Sequence, residues 1–231
     1  MTEFNHVATS PQGYVQQIAC GWVRNGYCYY VQGVVPHGKS PALLDKKFAE
    51  RYPIGMKASR RYSRKKRGVL NVAYLRYQRQ WILLATPGRH ESTKEGWIDW
   101  LEAERANIRN CMRGQPINVF GYSISLVRGD YLRKLTSGAP PERDGKRRVR
   151  VQISRRGMTR LREHLLGNAL SRSEAWFAYQ FWTLPYEPYA PVRKQLLSVL
   201  RQVNRERERS GLPKISSDVI RYHRQPGRVY V

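Results

Sequence analysis

Acidic residues are scarce in this sequence, and this scarcity limits the possible classes of binding partner more than any motif does. The chain of 231 residues carries 17 Asp and Glu against 42 Lys and Arg, which leaves a formal net charge of +25. Such a charge repels itself in a folded chain, so a sequence that keeps it normally has a polyanion to neutralise it. We therefore expect the partner to be nucleic acid or an anionic membrane.

Long apolar runs are also missing, which argues against the membrane. No run approaches the roughly 20 apolar residues that a spanning helix needs. The opening stretch "MTEFNHVATSPQGY" has neither the basic segment nor the apolar core of an export signal. We predict a cytoplasmic protein with no membrane partner. Because arginine suits bidentate phosphate contacts and base stacking, we take RNA or DNA as the partner.

Cysteine is too rare for a disulfide framework or a zinc site. Cys20, Cys28 and Cys111 are the three cysteines, and none forms a C-x-x-C pair with another. Cys20 and Cys28 are close enough in sequence to meet across a hairpin. We instead expect buried free thiols in a reducing compartment.

Several enzyme signatures are incomplete or absent. "PHGKSP" contains Gly-Lys-Ser but lacks the earlier glycine of a nucleotide-binding P-loop. HUH-class relaxase nucleases use a ferredoxin-like sheet, and the strand order that we predict below resembles theirs. Their motif also requires two histidines at a spacing of two residues, and no two of the five histidines in this sequence have that spacing. In "GYCYYVQG", Gln32 interrupts the Tyr-Val-Gly sequence of GIY-YIG nucleases. The motifs therefore assign the chain to no family.

Hydrophobic patterning predicts an α+β fold with a ferredoxin-like (split βαβ) antiparallel sheet. A buried strand is expected over Tyr27–Val35. In the helix that follows, "PALLDKKFAERY", one face gathers Leu43, Leu44, Phe48 and Tyr52. The runs "VLNVAYLRY" and "QWILLAT" predict a hairpin. A second helix is expected from Ser92 or Thr93 to near Asn110.

Two further strands are predicted after that helix. In "VFGYSISLV" the residues Phe120, Tyr122, Ile124 and Leu126 alternate onto one side of a strand, and its expected partner is "RRVRVQIS". The intervening segment, 128–146, is rich in Pro, Gly and charge. We expect it to be disordered without a ligand.

The remainder is predicted to be a helical C-terminal portion. "RRGMTRLREHLLGNAL" and "SRSEAWFAYQFWTL" are expected helices, the second with a capping box of Ser171 and Glu174. A long helix should run from Pro191 to about Ser210 with an apolar stripe. We predict an α+β nucleic-acid-binding core over residues 1–170 and a helical extension over 171–231 packed on it.

A basic block, "KASRRYSRKKR", is the strongest functional signal, with seven basic residues in eleven. Together with two later basic clusters it predicts phosphate contacts from Arg60, Arg61, Arg64, Lys65, Lys66, Arg67, Lys146, Arg147, Arg148, Arg150, Arg201, Arg205 and Arg209. Aromatic residues interleaved with these cations indicate base stacking on Tyr62, Tyr77 and Tyr222, which favours single-stranded or structured RNA or DNA. No cofactor is expected for this function.

Two alternatives remain open, and with them the question of whether the protein is an enzyme. One is a metal-dependent endonuclease of a mobile element, in which His90, Glu91, Glu95 and Asp99 hold Mg²⁺. The other is a structural ribonucleoprotein component whose segments 57–67 and 128–146 become ordered only on RNA.

Overall fold

A computed structural model describes residues 5–89, 107–129, 132–133, 140, 142–223 and 228–230. It confirms the predicted α+β class, with helices and antiparallel sheets along the chain. Contacts between Cα atoms divide the chain into a first unit, Met1–Ile117, Ser125–Val149 and Gly227–Val231, and a second unit, Asn118–Ile124 and Arg150–Pro226. Residues 150–170, which we assigned to the N-terminal core, thus group with the C-terminal helices.

The N-terminal half combines short helical turns with the larger sheet. Its elements are α1 (Pro11–Gln16), a π-helix (Gln17–Trp22), a 3-10 turn (Val23–Asn25), β1 (Tyr29–Val34), α2 (Pro41–Arg51), α3 (Ala58–Lys66), β2 (Val72–Tyr77), β3 (Gln80–Ala85) and β4 (Arg109–Asn110). The elements after these are β5 (Ile117–Val119), β6 (Tyr122–Arg128), β7 (Leu132–Arg133), β8 (Glu142–Arg143), β9 (Arg147–Ile153), α4 (Arg155–Gly167), α5 (Glu174–Trp182), α6 (Ala190–Arg209) and a 3-10 turn (Ser217–Val219).

The larger sheet has the strand order β2-β3-β1-β4. The predicted strand β1 and the predicted hairpin β2-β3 are confirmed, and β3 pairs antiparallel with both β1 and β2. Placing β3 between β1 and β2 is the arrangement of a split βαβ unit. The second crossover helix of a complete ferredoxin-like fold would fall at 90–106, outside the described residues, so that part stays a prediction.

The fourth strand corrects our expectation for Asn110. We predicted the end of a helix there, but Asn110 pairs with Tyr29 as part of β4. The amide of Cys111 donates to the carbonyl of Cys28 at 2.9 Å and extends this pairing. Edge pairing with a buried strand therefore fixes the backbone in an extended form.

A second sheet, β5-β6-β9, holds the strands that we expected to complete the first. The run "VFGYSISLV" is not one strand, because Phe120 and Gly121 form a turn with φ of 46° and 78°. A Cβ atom on Gly121 would lie 2.7 Å from the hydroxyl of Tyr186, so this turn requires glycine. Phe120 therefore leaves the buried side of β6.

The segment 128–146 contains regular structure among its described residues. There β7 pairs antiparallel with β8, with Leu132 opposite Arg143 and Arg133 opposite Glu142. The expected disorder of the whole segment without a ligand stays a prediction.

Helix α2 packs on the first sheet through the predicted face, except at Leu43. Phe48 and Tyr52 are buried as expected, and the Phe48 ring lies 5.0 Å from that of Tyr74 and 5.3 Å from that of Trp81. Leu43, however, is 69% exposed, while Asp45 is buried. The inward face is set by Asp45 because this carboxylate has an ionic partner on β2.

The C-terminal helices are confirmed, with one corrected cap. The side chain that caps α5 is Ser173, which accepts from the amide of Trp176 at 3.3 Å, rather than Ser171. The apolar stripe of α6, formed by Leu196, Leu200 and Val203, is buried. All three cysteines are free thiols, as expected, and Cys28 and Cys111 are buried. Cys20 is exposed, which corrects the expectation that it is buried.

Among the described residues, no helix has both the length and the apolar character that crossing a membrane demands.

A buried ionic network links α2 to β2. Arg76 donates to Asp45 from Nε at 2.8 Å and from Nη2 at 2.7 Å, and the hydroxyl of Tyr74 donates at 2.7 Å. His6 Nε2 lies 3.2 Å from the same carboxylate. Burial by itself raises the pKa of Asp45, but these hydrogen bonds outweigh burial and hold the pKa well below its usual range.

Replacing Asp45 with Asn should therefore destabilise the protein. We expect the free energy of unfolding in urea at pH 7 to fall by about 3 kcal/mol, because the guanidinium of Arg76 loses its buried counterion. The exposed pair of Lys46 and Glu50 on the same helix supplies the control. Glu50→Gln should cost less than about 0.5 kcal/mol.

The same network should give an acid dependence with a defined sign. The pKa of Asp45 is lower in the folded state than in the unfolded state. The stabilisation that ionised Asp45 gives to the folded protein is therefore complete above the unfolded carboxyl pKa of about 3.9, and it is lost as pH falls towards the folded pKa. The stability difference between wild type and Asp45→Asn should shrink from pH 5 to pH 2. A constant difference across that range would contradict this assignment.

Candidate nucleic-acid interface

The predicted basic block forms a regular helix in the first unit. Five of the nine residues of α3 are Arg or Lys, and none is acidic. Arg64 is buried, and its guanidinium donates to the carbonyl of Leu70 at 3.1 Å from Nη2. This arginine anchors the helix ahead of β2. In this arrangement it is not exposed to a phosphate.

Most of the remaining cations of the block are exposed. Lys66 Nζ lies 5.0 Å from the centre of the Tyr62 ring, and that ring is 62% exposed. Arg61 is partly buried, with its guanidinium 5.3 Å from the Trp22 ring. The block therefore presents cations beside an open aromatic face through Lys57, Arg60, Tyr62, Lys65, Lys66 and Arg67.

A second predicted cluster lies at the start of β9, an edge strand of its sheet. Lys146, Arg147 and Arg148 are exposed, while Arg150 is partly buried. Arg148 forms an ion pair with Asp144, and Arg147 contacts the sulfur of Met112. Two of these four cations therefore already have partners within the chain.

In the second unit, the facing sides of α4 and α6 form a basic groove. One part has a volume of about 630 Å³ and is lined by Leu166, Ser198, Arg201, Gln202, Arg205 and Glu206. Another part, of about 580 Å³, includes Arg155, Thr159, Arg162, Gln195 and Ser198 in its lining. Because Ser198 lines both parts, they adjoin along one face of α6. We call the two parts together the α4–α6 groove.

The charge within the α4–α6 groove is unbalanced. Arg155, Arg162, Arg201 and Arg205 are all exposed. Glu206 is the single carboxylate among the described lining residues, and it pairs with Arg209 at 3.1 Å. Two of the predicted α6 arginines are therefore brought together in the groove, and the third is engaged by a carboxylate.

Arg155 and Arg162 belong to this groove but were missing from our predicted set. Their spacing of seven residues places them on one side of α4, as Arg201 and Arg205 lie on one side of α6. The stretch "RRGMTRLR" contains four arginines, and the pattern does not indicate which of them line a groove. Only the packing of α4 against α6 distinguishes these two arginines from Arg156 and Arg160, which do not line the groove.

The residues predicted to stack on bases differ in how exposed they are. Tyr222 is 68% exposed, and the guanidinium of Arg193 lies 4.7 Å from the centre of its ring. Tyr77 is partly buried beside Gln78. Tyr179 and Trp182, three residues apart on α5, are exposed to 65% and 60% and were missing from our stacking candidates.

The residues proposed for a metal-dependent endonuclease, His90, Glu91, Glu95 and Asp99, lie outside the described residues. Within the part of the chain that the structure describes, no group of three or more His, Cys, Asp or Glu side chains could hold a metal ion.

No protein-family model matches the sequence, and no curated protein matches it at a significant level.

The two roles of arginine on α3 can be separated by stability measurements. Arg64→Met should lower the free energy of unfolding by roughly 1–3 kcal/mol, because the buried carbonyl of Leu70 loses its charged donor. Arg60→Met, an exposed change on the same helix, should stay within about 0.5 kcal/mol of wild type. Urea unfolding followed by circular dichroism measures both. Equal losses would show that Arg64 is not an anchor.

Proposed function

We propose that the protein binds nucleic acid through its phosphate backbone, with the α4–α6 groove as a principal contact surface. The proposal rests on the four exposed guanidinium groups of that groove, whose described lining includes a single carboxylate. Each planar guanidinium can donate two parallel hydrogen bonds to a phosphate. Cations that lack carboxylate partners are the ones that a polyanion neutralises.

Neutral donors accompany these arginines. Thr159 and Ser198 provide hydroxyl groups in the groove, and Gln152 and Gln202 provide side-chain amides. Hydroxyl and amide groups are common donors to phosphate and sugar oxygens, and such contacts position a strand without reading its sequence. The groove is therefore suited to the backbone of RNA or DNA.

The preference for single-stranded or structured nucleic acid rests on the exposed aromatic side chains. Tyr62 lies beside Lys66 on α3, and Tyr222 lies beside Arg193 in the second unit. Tyr179 and Trp182 add a pair of exposed rings on α5. Unpaired bases stack on such rings, whereas the bases of an intact duplex already stack on one another.

Neutralising two groove arginines should weaken binding and its salt dependence together. For Arg201→Gln/Arg205→Gln, we expect the dissociation constant for a single-stranded oligonucleotide to rise at least about tenfold. The slope of log K against log salt should fall by about 1.4, since each lost phosphate contact contributes about 0.7. Fluorescence anisotropy across a salt series measures both quantities.

A charge-matched variant on α4 provides the control. Arg156→Gln/Arg160→Gln removes the same charge at the same four-residue spacing, from exposed positions that do not line the groove. This variant should bind with nearly the wild-type slope. If both double variants lose the same affinity and slope, net charge rather than the groove drives binding. If wild type does not bind at low salt, the proposed function is wrong.

A further inference from the structure

A cavity in the first unit lies against the basic helix α3. Its volume is about 380 Å³, above the roughly 300 Å³ at which ligand pockets begin. One face of α3 forms a wall through Ala58, Arg61, Tyr62 and Lys65. The other lining residues come from the N-terminal turns and the first sheet, namely Gly21, Trp22, Asn25, Tyr27, Asn71 and Thr86.

The aromatic wall of this cavity begins where a π-helix ends. The π-helix Gln17–Trp22 directly follows α1, and π-helical turns are rare and frequent at functional sites. Its last residue, Trp22, meets the ring of Tyr27 edge to face, with the ring centres 5.0 Å apart. The cavity thus offers a flat indole and a phenol at a steep angle to each other.

Three lining side chains carry buried polar atoms that have no hydrogen-bond partner among the described residues. These atoms are Trp22 Nε1, the hydroxyl of Tyr27 and Asn71 Oδ1. The three residues are only 6%, 3% and 2% exposed. Buried polar atoms are nearly always paired, so three unpaired ones around a single cavity call for an explanation.

The orientation of Asn71 is fixed by its other contacts. Its Nδ2 donates to the carbonyl of Arg61 at 2.8 Å, and its backbone amide donates to the hydroxyl of Thr86 at 2.9 Å. The side-chain oxygen therefore remains as an acceptor. The N–H of Trp22 is a donor, and the hydroxyl of Tyr27 can donate or accept a hydrogen bond. The cavity wall therefore provides both donors and acceptors.

Two cations complete the cavity. The guanidinium of Arg61 lies over the Trp22 ring and donates to the carbonyl of Met56. Lys65 Nζ donates to the carbonyl of Asn25 at 3.2 Å. Neither hydrogen bond neutralises a positive charge, so both cations suit an anionic ligand.

We propose that this cavity holds one unstacked nucleotide of a bound strand, with its base against Trp22 and its phosphate at Arg61 and Lys65. A nucleobase is flat, and its edge carries both donors and acceptors, which matches Trp22, Tyr27 and Asn71. The base enters as the Arg61 side chain moves from the indole ring towards the phosphate. This inference rests on the proposed function and adds a base-binding pocket to it.

The test uses free nucleoside 5′-monophosphates as probes of the full-length protein by isothermal titration calorimetry. We expect saturable binding of nucleotides, whereas ribose 5-phosphate and inorganic phosphate should bind far more weakly because they lack a base. Tyr27→Phe should weaken nucleotide binding roughly five- to tenfold through the lost hydrogen bond. Its thermal midpoint should stay the same or rise, because the hydroxyl has no hydrogen-bond partner among the described residues.

Tyr30→Phe is the matched control, since Tyr30 is also buried but does not line the cavity. Its hydroxyl donates to the carbonyl of Pro116 at 2.8 Å. This variant should lose a few degrees of thermal midpoint and keep wild-type nucleotide affinity. Binding weakened equally in both variants would overturn the proposal.

An oligonucleotide experiment separates failure of this pocket from failure of the proposed function. A single abasic position in a short single strand should weaken binding to wild type but leave binding to Trp22→Ala unchanged. If intact and abasic strands bind wild type equally and nucleoside monophosphates do not bind, the cavity is structural only while the proposed function stands. If no strand binds at low salt, the proposed function itself fails.

Discussion

Backbone carbonyls accept hydrogen bonds from the buried arginines Arg64 and Arg207, one in each unit. Arg64 donates to Leu70 in the first unit, while Arg207 in the second donates to Pro213, Ala169 and Arg172. A buried guanidinium has five N–H donors to satisfy, and carbonyl oxygens can accept from them because each peptide offers an acceptor.

The ionic network of Asp45 is the contrasting case. Asp45 is a buried carboxylate of the first unit, and it accepts hydrogen bonds from β2 and from His6. Because the sequence has 17 acidic and 42 basic residues, surfaces with several cations and few carboxylates are expected. The α4–α6 groove is one such surface, and the cavity beside α3, which Arg61 and Lys65 line, is another. Both surfaces follow from the same imbalance of charge.

Local periodicity predicted the secondary structure well because it reflects burial along a strand or a helix. The strand β1, the hairpin β2-β3 and the long helix α6 were found in this way. The errors occurred where a tertiary contact overrides local pattern. Pairing with β1 makes Asn110 part of a strand, and the turn at Phe120 and Gly121 divides an alternating run. The burial of Asp45 likewise displaces Leu43 from the predicted inward face.

The sequence alone determined the charge, the α+β class and the basic helix, because composition and hydrophobic period are properties of neighbouring residues. It also placed Arg201 and Arg205 one turn apart. Only the tertiary structure decided that Arg64 is an anchor while Arg60 is exposed, and that Arg155 and Arg162 line a groove together with residues of α6. It alone brought Trp22, Tyr27 and Asn71 to one cavity. Burial and proximity depend on how distant segments pack, and the spacing of residues along the chain does not contain that information.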